Sequence, residues 1–471
     1  MRTGYGRESV EYTEGVKLLL GEPRKAILKL SIPMVVAMLV QTTYNLVDAI
    51  WVSGLGTAAL AAVGFVFPFY TMLNAISTGI GVGATTNISR RIGAGNRRGA
   101  GSVATHSLLM PLLLWTAFSL PLLLLSGPVF RTVGAGDVLD QTYAYGSVIL
   151  AGSLFLMFSN IGNAVLRGEG DAKRAMTAMV IGAMLNIFLD PVFIYALDMG
   201  IAGAAWATIL SLSVSSMLMI YWMIMKRSTY VEIGFRKFRL DGNVVKDIFR
   251  VGIPSSAIQL SMSFSMVLIN FLLVALPSGG TDGVAVFGTG WKVVTIGTMP
   301  LSGIATAVIA ISAAAIGQRL PEKLSAVHLE AIKIGMAMEI PIMIATAVFA
   351  PQIALAFTYS EGSARIYGDI VRFLRTIVIF YPFLSFGMIS SAMFQGVGRG
   401  IYSLAVTVTR SIFLIWLYIF ALAFALNMGL PGAWWGIVLA NVTGSIIGFT
   451  WARIYIRRLQ RHGNETKNLE K

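Results

Sequence analysis

The stretch Met199-Gly-Ile-Ala-Gly-Ala-Ala-Trp206 recurs near the other end of the chain as Met428-Gly-Leu-Pro-Gly-Ala-Trp-Trp435. Closer to the N-terminus, Leu166-Arg-Gly-Glu-Gly170 is matched in the same order by Phe394-Gln-Gly-Val-Gly398. The spacing between matched motifs drifts only slightly along the chain, as changes in loop length would produce. The sequence therefore predicts two related halves. A further pair of matched motifs is Lys29-Leu-Ser-Ile-Pro33 and Arg250-Val-Gly-Ile-Pro254.

The composition around these motifs is that of a membrane protein. The mean hydropathy is +0.75 and only 12% of residues are charged, whereas soluble domains carry about 25% charged residues. Because a spanning helix needs roughly 20 apolar residues, the long apolar runs predict an all-α membrane protein with about twelve transmembrane helices. The predicted spans are 28–55, 60–89, 103–126, 141–166, 174–197, 202–226, 247–276, 284–317, 325–349, 366–395, 401–426 and 433–457.

The distribution of basic residues predicts the topology. They cluster in both tails and after the even-numbered spans, for example at Arg90, Arg91, Arg97 and Arg98. The positive-inside rule then places both termini in the cytoplasm of a multi-pass plasma-membrane protein, and this regular alternation disfavours nucleic acid as the partner of the +14 net charge. Six spans per half make the halves parallel repeats with a cleft between them. The predicted lobes are 1–226 and 247–471, joined by a cytoplasmic linker at 227–246.

The residue inventory excludes several classes of function. There is no cysteine and there are only three histidines, far apart, which excludes disulfides, thiol catalysis and histidine-cluster metal sites. No G-x-x-x-x-G-K-[ST] loop is present, so ATP is not the expected energy source. We expect a protein that is not an enzyme, needs no cofactor, and uses an ion gradient for transport through alternating access.

Asp48 is the first of two carboxylates predicted to lie inside the membrane. Gln41, Tyr44 and Asn45 share its helical stripe, since they precede it by seven, four and three residues. An ionisable residue in a span is costly, so we interpret this one as functional. Gln41 and Asn45 are candidate cleft residues.

Asp190 is the second carboxylate, and Asn186 precedes it by one helical turn. Pro191 lacks an N–H and should loosen the helix there. Thr208, from the next span, could add a hydroxyl. Two mechanisms fit: either a carboxylate carries a proton, or Asp48, Asn186, Asp190 and Thr208 bind sodium through hard oxygen ligands. The alternative is a hydrogen-bonded group that only holds helices together.

The second half does not repeat these carboxylates. Ile269 and Asn270 occupy the place of Asp48, and Tyr418 that of Asp190. Its intramembrane charges are mostly basic, and Lys292 is a candidate cleft residue. Glu339, close to Pro341, is expected to be paired structurally. The other basic residues, expected to snorkel toward the helix ends, are Arg372, Arg375 and Arg410.

The motifs resemble those of the multidrug and toxic compound extrusion (MATE) transporters, particularly the prokaryotic, archaeal-type branch. The resemblance covers essentially the whole chain. It is carried by Pro33, by Gln41-Thr-x-Tyr44-Asn-x-x-Asp48, by Leu166-Arg-Gly-x-Gly-Asp171 and by Asn186-x-x-x-Asp190-Pro191.

This resemblance implies a V-shaped, two-lobed fold that exports lipophilic or cationic compounds by antiport against protons or sodium. It implies a coupling site in the first lobe. Pro33 matches the proline at which the first helix is proposed to bend, although the sequence alone equally allows a passive first-turn proline. We expect a functional monomer. The coupling site would comprise Tyr44, Asp48, Tyr145, Asn186, Asp190 and Thr208.

A flippase for lipid-linked oligosaccharides or other phosphate-bearing lipids is the alternative function. Its cleft would need cations that bind phosphate. Lys292, Arg372 and Arg375 keep this interpretation open.

Overall fold

The structure is a computed structural model that describes residues 12–226, 228–234, 238–276, 280–358 and 364–469, the side chains only as far as Arg461. The polar segment before Tyr12 and parts of the predicted linker lie outside the described residues. Within them, twelve helices are long and apolar enough to cross a membrane. They are α1 (Pro23–Ser53), α2 (Thr57–Gly93), α3 (Arg97–Leu124), α4 (Gly136–Gly168), α5 (Ala172–Ala196), α6 (Gly200–Met225), α7 (Gly242–Ala275), α8 (Met299–Gly317), α9 (Pro321–Val348), α10 (Tyr367–Gly396), α11 (Gly400–Ala425) and α12 (Gly429–Arg461).

Polar caps and prolines set many of the helix boundaries. The side chains of Asn96 and Asp171 accept hydrogen bonds from the backbone at the starts of α3 and α5, which satisfies amides without an intrahelical partner. The predicted eighth span is not continuous. A helix at Gly280–Gly297 ends before α8, and the chain turns at Thr298. Pro300 lies in the first turn of α8, where its missing N–H has no cost.

The two halves pack in the same way, which confirms the fold predicted from the repeat. Gly168 at the end of α4 lies against Thr85 and Ile88 of α2. At the matching place in the second half, Gly396 of α10 lies against Ile309 and Ser312 of α8. Glycine permits these close approaches because it has no side chain. The chain thus builds each six-helix lobe from one packing scheme, α1–α6 and then α7–α12.

The lobes meet at the end of the bundle that carries the basic loops, which we call the basic end. There, Gly93 approaches the carbonyl of Ala314, and Gly317 approaches that of Arg90. Asp247 at the start of α7 lies 3.3 Å from an Arg90 nitrogen and 3.7 Å from an Arg91 nitrogen. Toward the opposite end, which we call the distal end, the Gly280–Gly297 helix packs mainly on second-lobe helices. The lobes therefore form a V that is closed at the basic end.

The chain between the lobes docks on the first lobe. The Val231 N–H donates to Glu169 Oε2 over 3.0 Å, and Arg97 Nε donates to the Tyr230 carbonyl over 2.9 Å. Glu169 is almost fully buried, and burial raises its pKa to about 8. The helix that follows, α7, begins at Gly242, inside the range predicted as linker.

Candidate ion-coupling site

Asp190 lies in a part of α5 that its sequence loosens. Pro191 cannot donate to the carbonyl of Ile187, and the next five residues, Val192–Ala196, form a wide π-helical turn. One turn earlier, Asn186 Nδ2 donates to Asp190 Oδ1 over 3.2 Å. The side chains of Asp190 and Asn186 are 0% and 2% exposed. The helix therefore presents a carboxylate and an amide together inside the first lobe.

Asp48 completes this arrangement from α1, which packs along α5. The carboxyl groups of Asp48 and Asp190 lie within hydrogen-bonding reach of each other. Asp190 Oδ2 has no hydrogen-bond donor among the described residues. Two carboxylates can hydrogen-bond only through a proton that one of them carries, because ionised carboxylates are acceptors only. The two carboxyl groups therefore need a bound proton or another cation between them to satisfy their facing oxygens.

Three tyrosines surround the pair. Tyr44, one turn before Asp48, lies in hydrogen-bonding contact with Tyr70 of α2. Tyr145 of α4 lies within electrostatic range of both carboxyl groups. Its neighbour Tyr143 is 51% exposed, so the structure favours Tyr145 as the interior tyrosine. Tyr70 did not emerge from sequence reasoning, and its position two residues after the intrahelical Pro68 was the only available signal.

The MatE family model matches residues 33–192 and 254–420, one segment in each lobe. The chain belongs to the MatE family. It is thus a membrane transporter and not an enzyme. The matched first segment contains Pro33, Asp48 and Asp190, so the carboxylate pair lies within the family's own fold.

Known proteins resemble the chain over most of its length. The FAD transporter of Shewanella oneidensis is 26% identical over 339 residues, which cover 71% of this chain and 74% of that protein. The multidrug export protein MepA of Staphylococcus aureus is 23% identical over 421 residues, covering 88% and 90%. A solved structure, the outward-facing conformation of a multidrug resistance MATE family transporter of the MOP superfamily, is 46% identical, with a TM-score of 0.92. It covers 96% of this chain and 100% of that one.

The other predicted site residues of this MatE transporter form no hydrogen bond with the carboxylate pair among the described residues. Thr208 Oγ1 donates to the Ala204 carbonyl of its own helix over 3.0 Å, and no described hydrogen bond joins it to a carboxylate. Gln41, Asn45 and Lys292 are exposed. Their roles stay predictions.

The oxygen atoms around Asp190 fit a cation. Asn186 Oδ1 and Asp190 Oδ2 are buried and have no hydrogen-bond partner among the described residues. Together with Asp48 they form a hard-oxygen set of the kind that sodium prefers, and the same oxygens accept a proton. The described residues contain no group of three or more carboxylates or histidines.

Pro33 is an interior residue of α1, ten residues after the helix begins at Pro23. It is therefore not a first-turn proline, and it leaves the Lys29 carbonyl without its helical N–H donor. Gly303 of α8 packs against Ser31 and Val35 on either side of it. A bend at Pro33 would act directly on the contact between the lobes.

Two expectations for the second lobe are wrong. Glu339 is not paired, because neither carboxylate oxygen has a hydrogen-bond partner among the described residues. Arg410 does not snorkel, since its side chain is buried in the wide turn Thr409–Leu414 and its Nη1 has no described partner.

Proposed function

We propose that this transporter exports lipophilic or cationic compounds by antiport against a cation bound at Asp48 and Asp190, and that the cation is a proton. The carboxyl pair carries the proposal. The half-buried carboxyl group of Asp48 lies beside the fully buried carboxyl group of Asp190, whose Oδ2 has no hydrogen-bond partner among the described residues. Like charges this close disfavour double ionisation, so the pair holds a proton readily and releases it when its surroundings change.

The position of the pair links proton binding to lobe movement. Asp48 belongs to α1, which also contacts the second lobe through Thr42, whose hydroxyl lies 3.3 Å from Met299 Sδ. A protonated pair draws α1 toward α5 through a hydrogen bond, whereas an ionised pair repels. Because Pro33 weakens α1 on the basic side of this contact, the helix can bend there and alter the lobe interface.

The same stripe of α1 offers a place for substrate. Gln41 and Asn45 are exposed two turns and one turn before Asp48, and an ionised Asp48 attracts a cationic compound. A proton that neutralises the pair removes this attraction, so proton entry and substrate release occur together. Antiport follows because the proton and the cationic substrate compete for the negative charge of Asp48.

Transport by purified protein in proteoliposomes tests this proposal. With a fluorescent cationic dye and separately imposed proton and sodium gradients, we expect proton-driven transport in the wild type. Asp48→Asn and Asp190→Asn should reduce it to background. Asp198→Asn is the matched control, because Asp198 lies in the loop between α5 and α6 with a φ of 52° that asparagine tolerates.

Normal transport by both site variants would refute the coupling role of the pair. Transport driven by sodium alone, and lost in the same variants, would keep the site and change the ion to sodium.

Transport of a phosphate-bearing compound is the second candidate. Lys292, Arg372 and Arg375 are exposed in the second lobe, and one relative carries the name FAD transporter. An anionic, phosphate-bearing fluorophore should then be transported, and Lys292→Gln should abolish its transport while leaving that of the cationic dye intact.

A further inference from the structure

The second lobe contains a buried carboxyl group that the coupling mechanism does not use. Glu339 of α9 is 0% exposed, and both of its carboxylate oxygens lack a hydrogen-bond partner among the described residues. An unpaired buried carboxylate is so costly that such a group normally becomes neutral or acquires a partner. The Glu339 carboxyl group must therefore carry a proton or obtain a partner from the groups around it.

The register of α9 against α10 shows what lies opposite. The two helices run antiparallel, and Gly335 approaches Ser385, with Ser385 Oγ only 2.8 Å from where a Gly335 Cβ would lie. One turn further along α9 is Glu339, and one turn back along α10 is Tyr381. Both are therefore at the same level. Tyr381 Oη and Ser385 Oγ are also buried without a described partner.

Among the described residues, the neighbourhood of Glu339 offers hydroxyl groups and no cationic side chain. Tyr381 is the titratable residue within electrostatic range of it among the described residues. His328, eleven residues earlier on α9, shares a 3.0 Å hydrogen bond with Ser390 through Nε2. The charged groups Arg372 and Arg375 of α10 are exposed. The helices packed on α9 also include α1 and the Gly280–Gly297 helix, and no described lysine or arginine from any of its neighbours forms a salt bridge with Glu339.

We propose that Glu339, Tyr381 and Ser385 form a second proton-binding site, in the lobe that lacks the aspartate pair. The Glu339 carboxyl group holds the proton while it is buried against α10. When the proton leaves to water, the hydroxyls of Tyr381 and Ser385 donate hydrogen bonds to the carboxylate that remains.

A loosened turn next to the site provides the local freedom this requires. Pro341, two residues after Glu339, deprives the Ala337 carbonyl of its helical donor. In α5, Pro191 directly follows Asp190 and loosens that helix in a similar way. Both carboxyl groups also lie 18 residues after their helices begin at the basic end, about 27 Å along the axis at 1.5 Å per residue. The two sites are thus at similar depth in the two lobes.

Infrared difference spectroscopy of the purified transporter in lipid nanodiscs tests this site directly. Between acidic and alkaline buffer, we expect the wild type to lose a protonated-carboxyl band and gain carboxylate absorption. Glu339→Gln should remove this band, and Glu330→Gln should keep it, because Glu330 lies on the same helix in a 2.8 Å salt bridge with Lys333. Tyr381→Phe should retain the band and move its frequency, since one hydroxyl neighbour is lost.

The measurement separates this inference from the proposed function, because it needs no transport. A variant with both Asp48→Asn and Asp190→Asn should keep the Glu339 band. If Glu339→Gln fails to fold, the frequency change in Tyr381→Phe decides. Identical spectra for wild type, Glu339→Gln and Tyr381→Phe would overturn the proposal, as would a band that responds to sodium at constant pH and not to protons.

Discussion

The first and second lobes have one packing scheme but hold their buried acids differently. In the first lobe, Asp48 and Asp190 come from two helices and meet as a pair. In the second lobe, Ile269 and Tyr418 occupy the corresponding places, and Tyr418 only shares a 3.3 Å hydrogen bond with Thr443. Among the described residues of the second lobe, the buried acid is Glu339, which comes from α9. The difference teaches that the repeat preserves helix packing, whereas the ionisable groups are placed independently in each lobe.

The largest effect should come from changing the matched positions Asp190 and Tyr418. Asp190→Asn removes one of the two carboxyl groups that we propose share a proton, so proton-driven dye transport should fall to background. Tyr418→Phe removes one hydroxyl and should leave transport within about twofold of the wild type, because a neutral hydrogen bond contributes only about 1 kcal/mol. Transport in proteoliposomes is the measurement. Equal losses in both variants would contradict the functional asymmetry of the lobes.

The matched glycines Gly168 and Gly396 test the packing symmetry. A Cβ at Gly396 would lie 2.5 Å from the Ile309 carbonyl oxygen, whereas one at Gly168 would lie 3.1 Å from Ile88 Cβ. Gly396→Ala should therefore lower the free energy of unfolding by about 2–3 kcal/mol and Gly168→Ala by about 1 kcal/mol.

Thermal unfolding in detergent measures this order. Gly127→Ala serves as the control, since a methyl group there meets no described atom within 4 Å. A larger loss at Gly168 than at Gly396 would be inconsistent with the packing described.

The prolines Pro33 and Pro254 occupy matching motifs but should differ in function. Pro33 weakens the helix that carries Asp48, whereas Pro254 lies in α7 near Gly400. Pro33→Ala should slow transport several-fold while leaving the protein folded. Pro254→Ala should change transport less. Rates of dye transport, normalised to folded protein, compare them. If Pro33→Ala is as active as the wild type, the helix does not need to bend at this residue.

The smallest expected effect concerns Glu169 and the docked linker. Burial under the docked linker raises the pKa of Glu169 from 4.5 to about 8. Between these two pH values, Glu169 therefore keeps its proton while the linker is docked and loses it when the linker undocks. Docking is therefore fully favoured below pH 4.5 and weakens as the pH rises through 8. Hydrogen exchange at the Val231 amide, corrected for intrinsic rate, should show decreasing protection over this range. Glu169→Gln, which cannot ionise, should remove the dependence on pH.

Much of this protein could be predicted from its sequence because the relevant signals are local. Apolar runs long enough to span a bilayer gave the twelve helices, and the matched motifs gave the two lobes. Pro191 predicted a loosened turn, and the wide turn Val192–Ala196 follows it. The break at Thr298 was missed because the apolar run continues across it.

The sequence by itself determined which residues are too costly to bury without a purpose, since charge and hydropathy are properties of each residue. It singled out Asp48 and Asp190 on those grounds. Only the tertiary structure decided which side chains lie next to them. The packing of the helices places Tyr70 and Tyr145 near the pair, whereas Tyr143 is exposed. It also leaves Glu339 beside Tyr381 without a hydrogen-bond partner among the described residues. The physical reason is that contacts between helices depend on how each helix is rotated and shifted against the next, and long-range packing sets that register.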